Sequence, residues 1–143
     1  MSDGGALTCS DVTVDVPGRV LVSGLQLSAS PGTLMVVLGR NGSGKSSTLH
    51  TLAGLRAPAA GNVQIGGRSL ALWPRRELAR TLGLLPQLVE DPFPATALEA
   101  VLVGRHPHLD FWAWESATDR AAAQAALAAV DLAGLEQRDI ATL

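Results

Sequence analysis

Leu34-Met35-Val36-Val37-Leu38-Gly39-Arg40-Asn41-Gly42-Ser43-Gly44-Lys45-Ser46-Ser47 is the stretch on which the fold turns. Its first five residues are a continuous apolar run, the pattern of a strand buried on both faces of a parallel sheet. Gly39 to Ser46 then satisfies G-x-x-x-x-G-K-[ST] in full. The glycines let the backbone wrap closely, with N–H groups turned inward toward phosphate oxygens. Lys45 brings a cation to the β- and γ-phosphates, and the Ser46 hydroxyl suits Mg²⁺. Lys45 to Ala53 reads as a helix stopped by Gly54, with its positive end aimed at the same anion. A strand, a glycine loop and a helix in that order make a cradle for a nucleoside triphosphate.

Working outward toward the N-terminus, Val12, Val14 and Val16 alternate with Thr13 and Asp15, the period of a half-buried strand. Pro17-Gly18 turns the chain, and Leu21, Leu25 and Leu27 suggest an antiparallel partner ended by Pro31-Gly32. On the other side, Pro58 and Gly61 mark a loop, Asn62 to Ile65 a short strand and Gly66-Gly67 a hairpin turn. Pro74 suits the first turn of a helix over Arg75 to Arg80. Thr81 to Leu85 reads as a further strand, ended at Pro86-Gln87. Beyond it the pattern is helical. Thr96 and Glu99 have capping-box spacing, with Gly104 ending that helix, and Ser116 and Asp119 open an alanine-rich one over Ala121 to Val130.

The whole chain of 143 residues suits one domain, 47% hydrophobic and 17% charged. A net charge of −2 argues against nucleic-acid binding through general electrostatics. Cys9 is the single cysteine, so no internal disulfide is available, which fits a reducing cytosol. Met1 to Ser10 carries no secretory signal, and no run approaches the roughly 20 apolar residues of a membrane span. A GTPase would want Asn-Lys-x-Asp, and neither Asn41 nor Asn62 is followed by lysine. Aromatics are few: Trp73, Phe93, Phe111, Trp112 and Trp114.

Over nearly its full length the chain resembles the ATPase subunit of an ABC transporter. The resemblance rests on Gly39 to Ser47, on Leu52-Ala53-Gly54-Leu55, on Pro58, Gly61 and the Val63-Gln64-Ile65-Gly66-Gly67 hairpin, and on Leu84-Leu85-Pro86-Gln87. It implies an α/β P-loop NTPase of ABC type, in which an antiparallel β subdomain and part of a parallel-sheet core occupy 1–87 and a helical subdomain 88–143. It implies ATP and Mg²⁺ as cofactors, with Gly39, Arg40, Asn41, Gly42, Ser43, Gly44, Lys45, Ser46 and Ser47 around the phosphates. Gln87 matches the family's Q-loop glutamine, which reaches Mg²⁺ and the attacking water and links the site to the membrane subunits. The catalytic assignments are therefore Lys45 and Gln87, and the metal assignments Ser46 and Gln87.

The segments Phe93-Pro94-Ala95-Thr96-Ala97-Leu98-Glu99-Ala100-Val101 and Gly104-Arg105-His106-Pro107-His108-Leu109 are similar to ATPases of importers for iron–siderophore, haem or cobalamin complexes. That implies Mg-ATP hydrolysis driving uptake of a metal chelate. The implied partners are transmembrane permeases, a second ATPase subunit in a head-to-tail dimer and, indirectly, a substrate-binding protein. The implied location is cytoplasmic, peripheral on the inner face of the membrane. His106 and His108 suit a loop facing the permeases better than a metal pair, because no third ligand is near.

Two departures qualify the resemblance. Val16 stands where the family places an aromatic that stacks on adenine, so adenine is expected to be held less tightly unless another group compensates. The sequence also stops at Leu143, where the family's Ser-Gly-Gly signature would follow, ahead of its Walker B strand and switch histidine. The 143 residues alone are therefore expected to lack turnover and to expose an open strand edge at Leu38. Two other readings compete, a non-catalytic truncated nucleotide-binding fragment and an ABC ATPase without a membrane partner. The cargo itself is not legible, since selection belongs to binding proteins and permeases.

Overall fold

The computed structural model of the chain describes residues 5–87, 94–110 and 112–143, which fall into two compact units, Met1–Leu84 and Leu85–Leu143. Phe93 and Phe111, and the first four residues of the N-terminal stretch, lie outside the described residues.

In the first unit, β1 (Leu7–Val16) and β2 (Arg19–Ala29) form the hairpin expected around Pro17-Gly18, with Val16 opposite Arg19. β3 (Ala60–Ile65) pairs with the other edge of β1 and is followed across Gly66-Gly67 by β4 (Arg68–Ser69). The strand order is β2-β1-β3-β4, and every pairing is antiparallel. Cys9, Val12 and Val14 are buried together with Val63 and Leu52. Cys9 and Val12 are three apart, an odd spacing that simple alternation would put on opposite faces. A bulge resolves this: Asp11 sits at φ 52, and the register with both neighbours shifts there. Gly61 serves that bulge and belongs to β3, not to a loop. A Cβ at Gly61 would lie 2.3 Å from the Asp11 carbonyl oxygen, so only glycine allows the approach.

Helix α1 (Lys45–Leu52) turns Thr48, Thr51 and Leu52 inward, the i, i+3, i+4 face of one helix side. Both threonine hydroxyls donate back along the helix, Thr48 to the Gly44 carbonyl and Thr51 to the Ser47 carbonyl, each at 2.9 Å. Gly54, at φ 72, ends it as expected. Helix α2 (Arg75–Thr81) begins directly after Pro74.

Two strand expectations fail. Leu34 to Leu38 is no strand and pairs with nothing among the described residues, and it is exposed throughout, from 41% at Val37 to 91% at Leu34. An apolar run becomes a strand only when neighbours take its N–H and C=O groups, and none of the strands among the described residues pairs with it. Thr81 to Leu85 is not a strand either. Thr81 is the last residue of α2, its hydroxyl donating to the Glu77 carbonyl at 3.0 Å, and Leu82 N–H still donates to the Leu78 carbonyl at 2.8 Å. Leu78 and Leu82 are four apart, a helical spacing that outweighed the apolar run. The α/β class stands, with an antiparallel sheet in the first unit and helices in both. The sheet among the described residues is solely antiparallel.

The second unit packs α3 (Ala97–Val103) on α4 (Ala117–Ala129) through Ala97, Leu98, Leu102, Ala123 and Leu127. Ala97 and Ala123 are small enough to bring the helices close, and Leu127 fills the contact at 2% exposure. Both capping boxes form as the spacing predicts, Thr96 with Glu99 and Ser116 with Asp119. Among the described residues, no helix is long and apolar enough to cross a membrane.

Candidate functional site

The loop from Gly39 to Ser46 closes on itself through Lys45. Its Nζ donates to the Gly39 carbonyl at 2.7 Å and the Arg40 carbonyl at 2.9 Å. An ammonium has three donors, so one direction remains for a ligand. Ser43 N–H donates to the Arg40 carbonyl at 3.2 Å, tightening the same turn. A Cβ at Gly39 would come within 2.8 Å of Ser43 Oγ. Gly44 takes φ 92 as the N-cap of α1, and a Cβ there would lie 2.9 Å from Leu21 Cβ. The two glycines thus let the loop fold over its lysine and let strand β2 abut it. Leu21 is the contact that sequence reasoning missed; its apolar spacing on β2 was the signal available.

The N-terminus of α1 differs from the others. The α3 terminus is fully claimed: Ala97 and Leu98 N–H donate to the Arg138 and Glu136 carbonyls at 2.9 Å each, and Glu99 N–H to Thr96 Oγ1 at 3.2 Å. The Thr96 N–H and hydroxyl donate in turn to Glu99, holding its carboxyl below the usual range. The α4 terminus carries Asp119, and α2 has Glu77 in its first turn. Among the described residues, α1 alone of the four helices has neither a side-chain cap nor an acidic residue in its first turn. The N–H groups of Lys45, Ser46 and Ser47 take no acceptor among the described residues. Free donors, the helix dipole and a lysine converge on one spot, which is the chemistry of an anion site. Ser46 follows Lys45 in the first turn of α1 and is exposed. The donors present fit a polyphosphate, and a hydroxyl beside it fits a hard cation such as Mg²⁺.

A sequence model of the ABC transporter family matches residues 22–143. The chain belongs to that family. It is 40% identical over 137 residues to a hemin import ATP-binding protein of Gloeobacter violaceus, covering 96% of this chain and 49% of that protein. It is 39% identical over 132 residues to its counterpart in Rhizobium meliloti, covering 92% and 49%. A siderophore transport system ATP-binding protein of Bacillus subtilis is 32% identical over 138 residues, covering 96% and 50%. A solved inward-facing structure of a metal-chelate type ABC transporter superposes with a TM-score of 0.79 at 26% identity, covering 98% of this chain and 51% of that one. The chain thus spans about half the length of the curated relatives it matches.

The remaining residues singled out from the ABC resemblance are distributed between the units. Val16 is half-buried at the end of β1, and Arg40, Asn41, Gly42 and Ser43 are exposed in the loop. These belong to the first unit, as do Gly44 to Ser47. Gln87 is exposed and belongs to the second. His106 and His108 are exposed on one short 3-10 turn, and among the described residues no group of three His, Cys, Asp or Glu stands together. That turn is anchored by Arg105, whose Nε donates to Asp119 Oδ1 at 3.0 Å. Asp119 is pulled down to about 2, first by the Ser116 hydroxyl at 2.6 Å, then by Ser116 N–H, then by Arg105.

Proposed function

We propose that the chain carries the phosphate-binding portion of an ABC importer's ATPase, which couples Mg-ATP binding and hydrolysis to uptake of a metal chelate of the iron–siderophore, haem or cobalamin type. The open, uncapped N-terminus of α1 beneath Lys45 is the observation that carries the reading. The backbone donors of Gly42 to Ser47 and the Lys45 ammonium would hold the β- and γ-phosphates, and the Ser46 hydroxyl would ligate Mg²⁺, with the family's Q-loop role proposed for Gln87. When bound, Mg²⁺ would supply positive charge against the charge that develops on the transferring phosphoryl group. Gln87 orients water and passes the state of the site to the permeases. The names of the relatives support import and the class of cargo.

The partners that follow are two permease subunits and a second ATPase subunit set head to tail, with a binding protein engaged through the permeases. The protein works at the inner face of the membrane. The test is uptake of labelled haem or ferric siderophore by membranes containing the protein and its permeases. Lys45→Ala is expected to abolish hydrolysis and uptake together. Gln87→Ala is expected to keep ATP binding while cutting both by on the order of 100-fold, the cost of lost positioning. Uptake unchanged by Gln87→Ala would remove that residue from the mechanism.

A further inference from the structure

A nucleotide seated on Gly39–Ser46 needs a surface for its base, and the first unit has little aromatic surface to offer. Its single aromatic is Trp73. The Trp73 Nε1–H donates to the Arg68 carbonyl at 3.2 Å, and the Arg68 guanidinium lies 4.8 Å over the ring. Apart from His50, in the last turn of α1 and so at its end away from the phosphate loop, the planar groups that remain are guanidiniums, of which Arg76 and Arg80 lie with Arg75 in α2. Arg56 is spent on Asp15, donating to its backbone carbonyl and, at 3.2 Å, to Oδ1. Arg75 lies in α2 beside Gly54 and Leu55, past the opposite end of α1 from the phosphate loop. Arg40 is a loop residue whose carbonyl is held by Lys45.

Arg19 is different on three counts. It is exposed, and no hydrogen bond or ion pair engages it among the described residues. It is directly opposite Val16 in the last pair of the β1–β2 hairpin, and opposed residues of an antiparallel pair project from the same face. The register with β1 shifts between Val14 and Asp15, leaving Leu21 as the extra residue between Val20 and Val22; Leu21 packs on the core cluster, and Arg19 lies two residues from it at the exposed end of β2. Leu21, packed on the same core, touches the loop at Gly44. Two strand residues, about 6–7 Å, therefore carry the chain from the phosphate loop to Arg19.

We propose that the Arg19 guanidinium stacks on the purine base of the bound nucleotide, with Val16 beside it as an apolar edge. A guanidinium is flat and weakly hydrated, and it stacks on base planes much as an aromatic ring does. Its charge is incidental to this role. The inference rests on the reading of Gly39–Ser46 as a nucleotide site.

The experiment titrates the purified protein with Mg-ATP and with inorganic triphosphate, which has the phosphates and no base. Arg19→Ala should weaken ATP binding by roughly tenfold and leave triphosphate binding unchanged, which also reports that the unit is folded. Arg19→Lys, which keeps the charge and loses the plane, should behave as Arg19→Ala. Val16→Tyr in the Arg19→Ala background should recover ATP affinity. The proposal is overturned if Arg19→Ala binds ATP normally, if Arg19→Lys does, or if triphosphate binding falls in parallel with ATP. Lys45→Ala separates the two levels. Loss of both ligands supports the phosphate site whatever Arg19 does, and triphosphate binding indifferent to Lys45→Ala would sink the site itself.

Discussion

Lys45 holds two carbonyls of its own loop and keeps one donor direction open, so the loop is preorganised around the charge that a triphosphate needs. The motif made this legible, because a fixed spacing of glycines and lysine dictates the local backbone almost alone. Asp119 was legible only in part. Its capping role follows from its distance to Ser116, but its pairing with Arg105, fourteen residues earlier, depends on how α3 and α4 pack. That pairing gives a pH signature. The carboxyl ordinarily titrates at 3.8 and is lowered to about 2, so its stabilising contribution is complete above about 4 and lost as pH falls through 2. Thermal unfolding of Asp119→Asn, followed by circular dichroism, should show a lower midpoint at pH 7 and a shallower decline between pH 4 and pH 2. An identical slope in the two proteins would mean that Asp119 is not the titrating group.

Among elements, those set by local signals appeared where the sequence put them: the β1–β2 hairpin, α1 with its Gly54 stop, and both capping boxes. Those needing distant partners did not. Leu34 to Leu38 has the composition of a buried strand, yet burial is conferred by neighbouring strands, and the segment has none among the described residues. The bulge at Asp11 and Gly61 was also invisible, because a residue at positive φ is chosen by the strand lying against it. The state of the apolar run predicts the effect of charging it. Val36 is 69% exposed, so Val36→Lys should alter urea unfolding by no more than about 0.5 kcal/mol. It should also reduce light scattering on concentration, since an open apolar edge promotes self-association. A loss of about 2 kcal/mol or more would show the residue to be packed.

For the whole molecule, the family is secure from a match over residues 22–143, while the chain spans about half the length of its curated relatives. The two units divide the proposed machinery, with the phosphate loop in Met1–Leu84 and Gln87 in Leu85–Leu143. The central claim belongs to the first unit, and it is tested most directly by binding. Titrating the purified chain with Mg-ATP should give saturable binding at one site. Lys45→Ala should weaken it by about 10- to 100-fold, the worth of a hydrogen bond to a charged group. Equal affinity in the wild-type and Lys45→Ala proteins would contradict the account at its root.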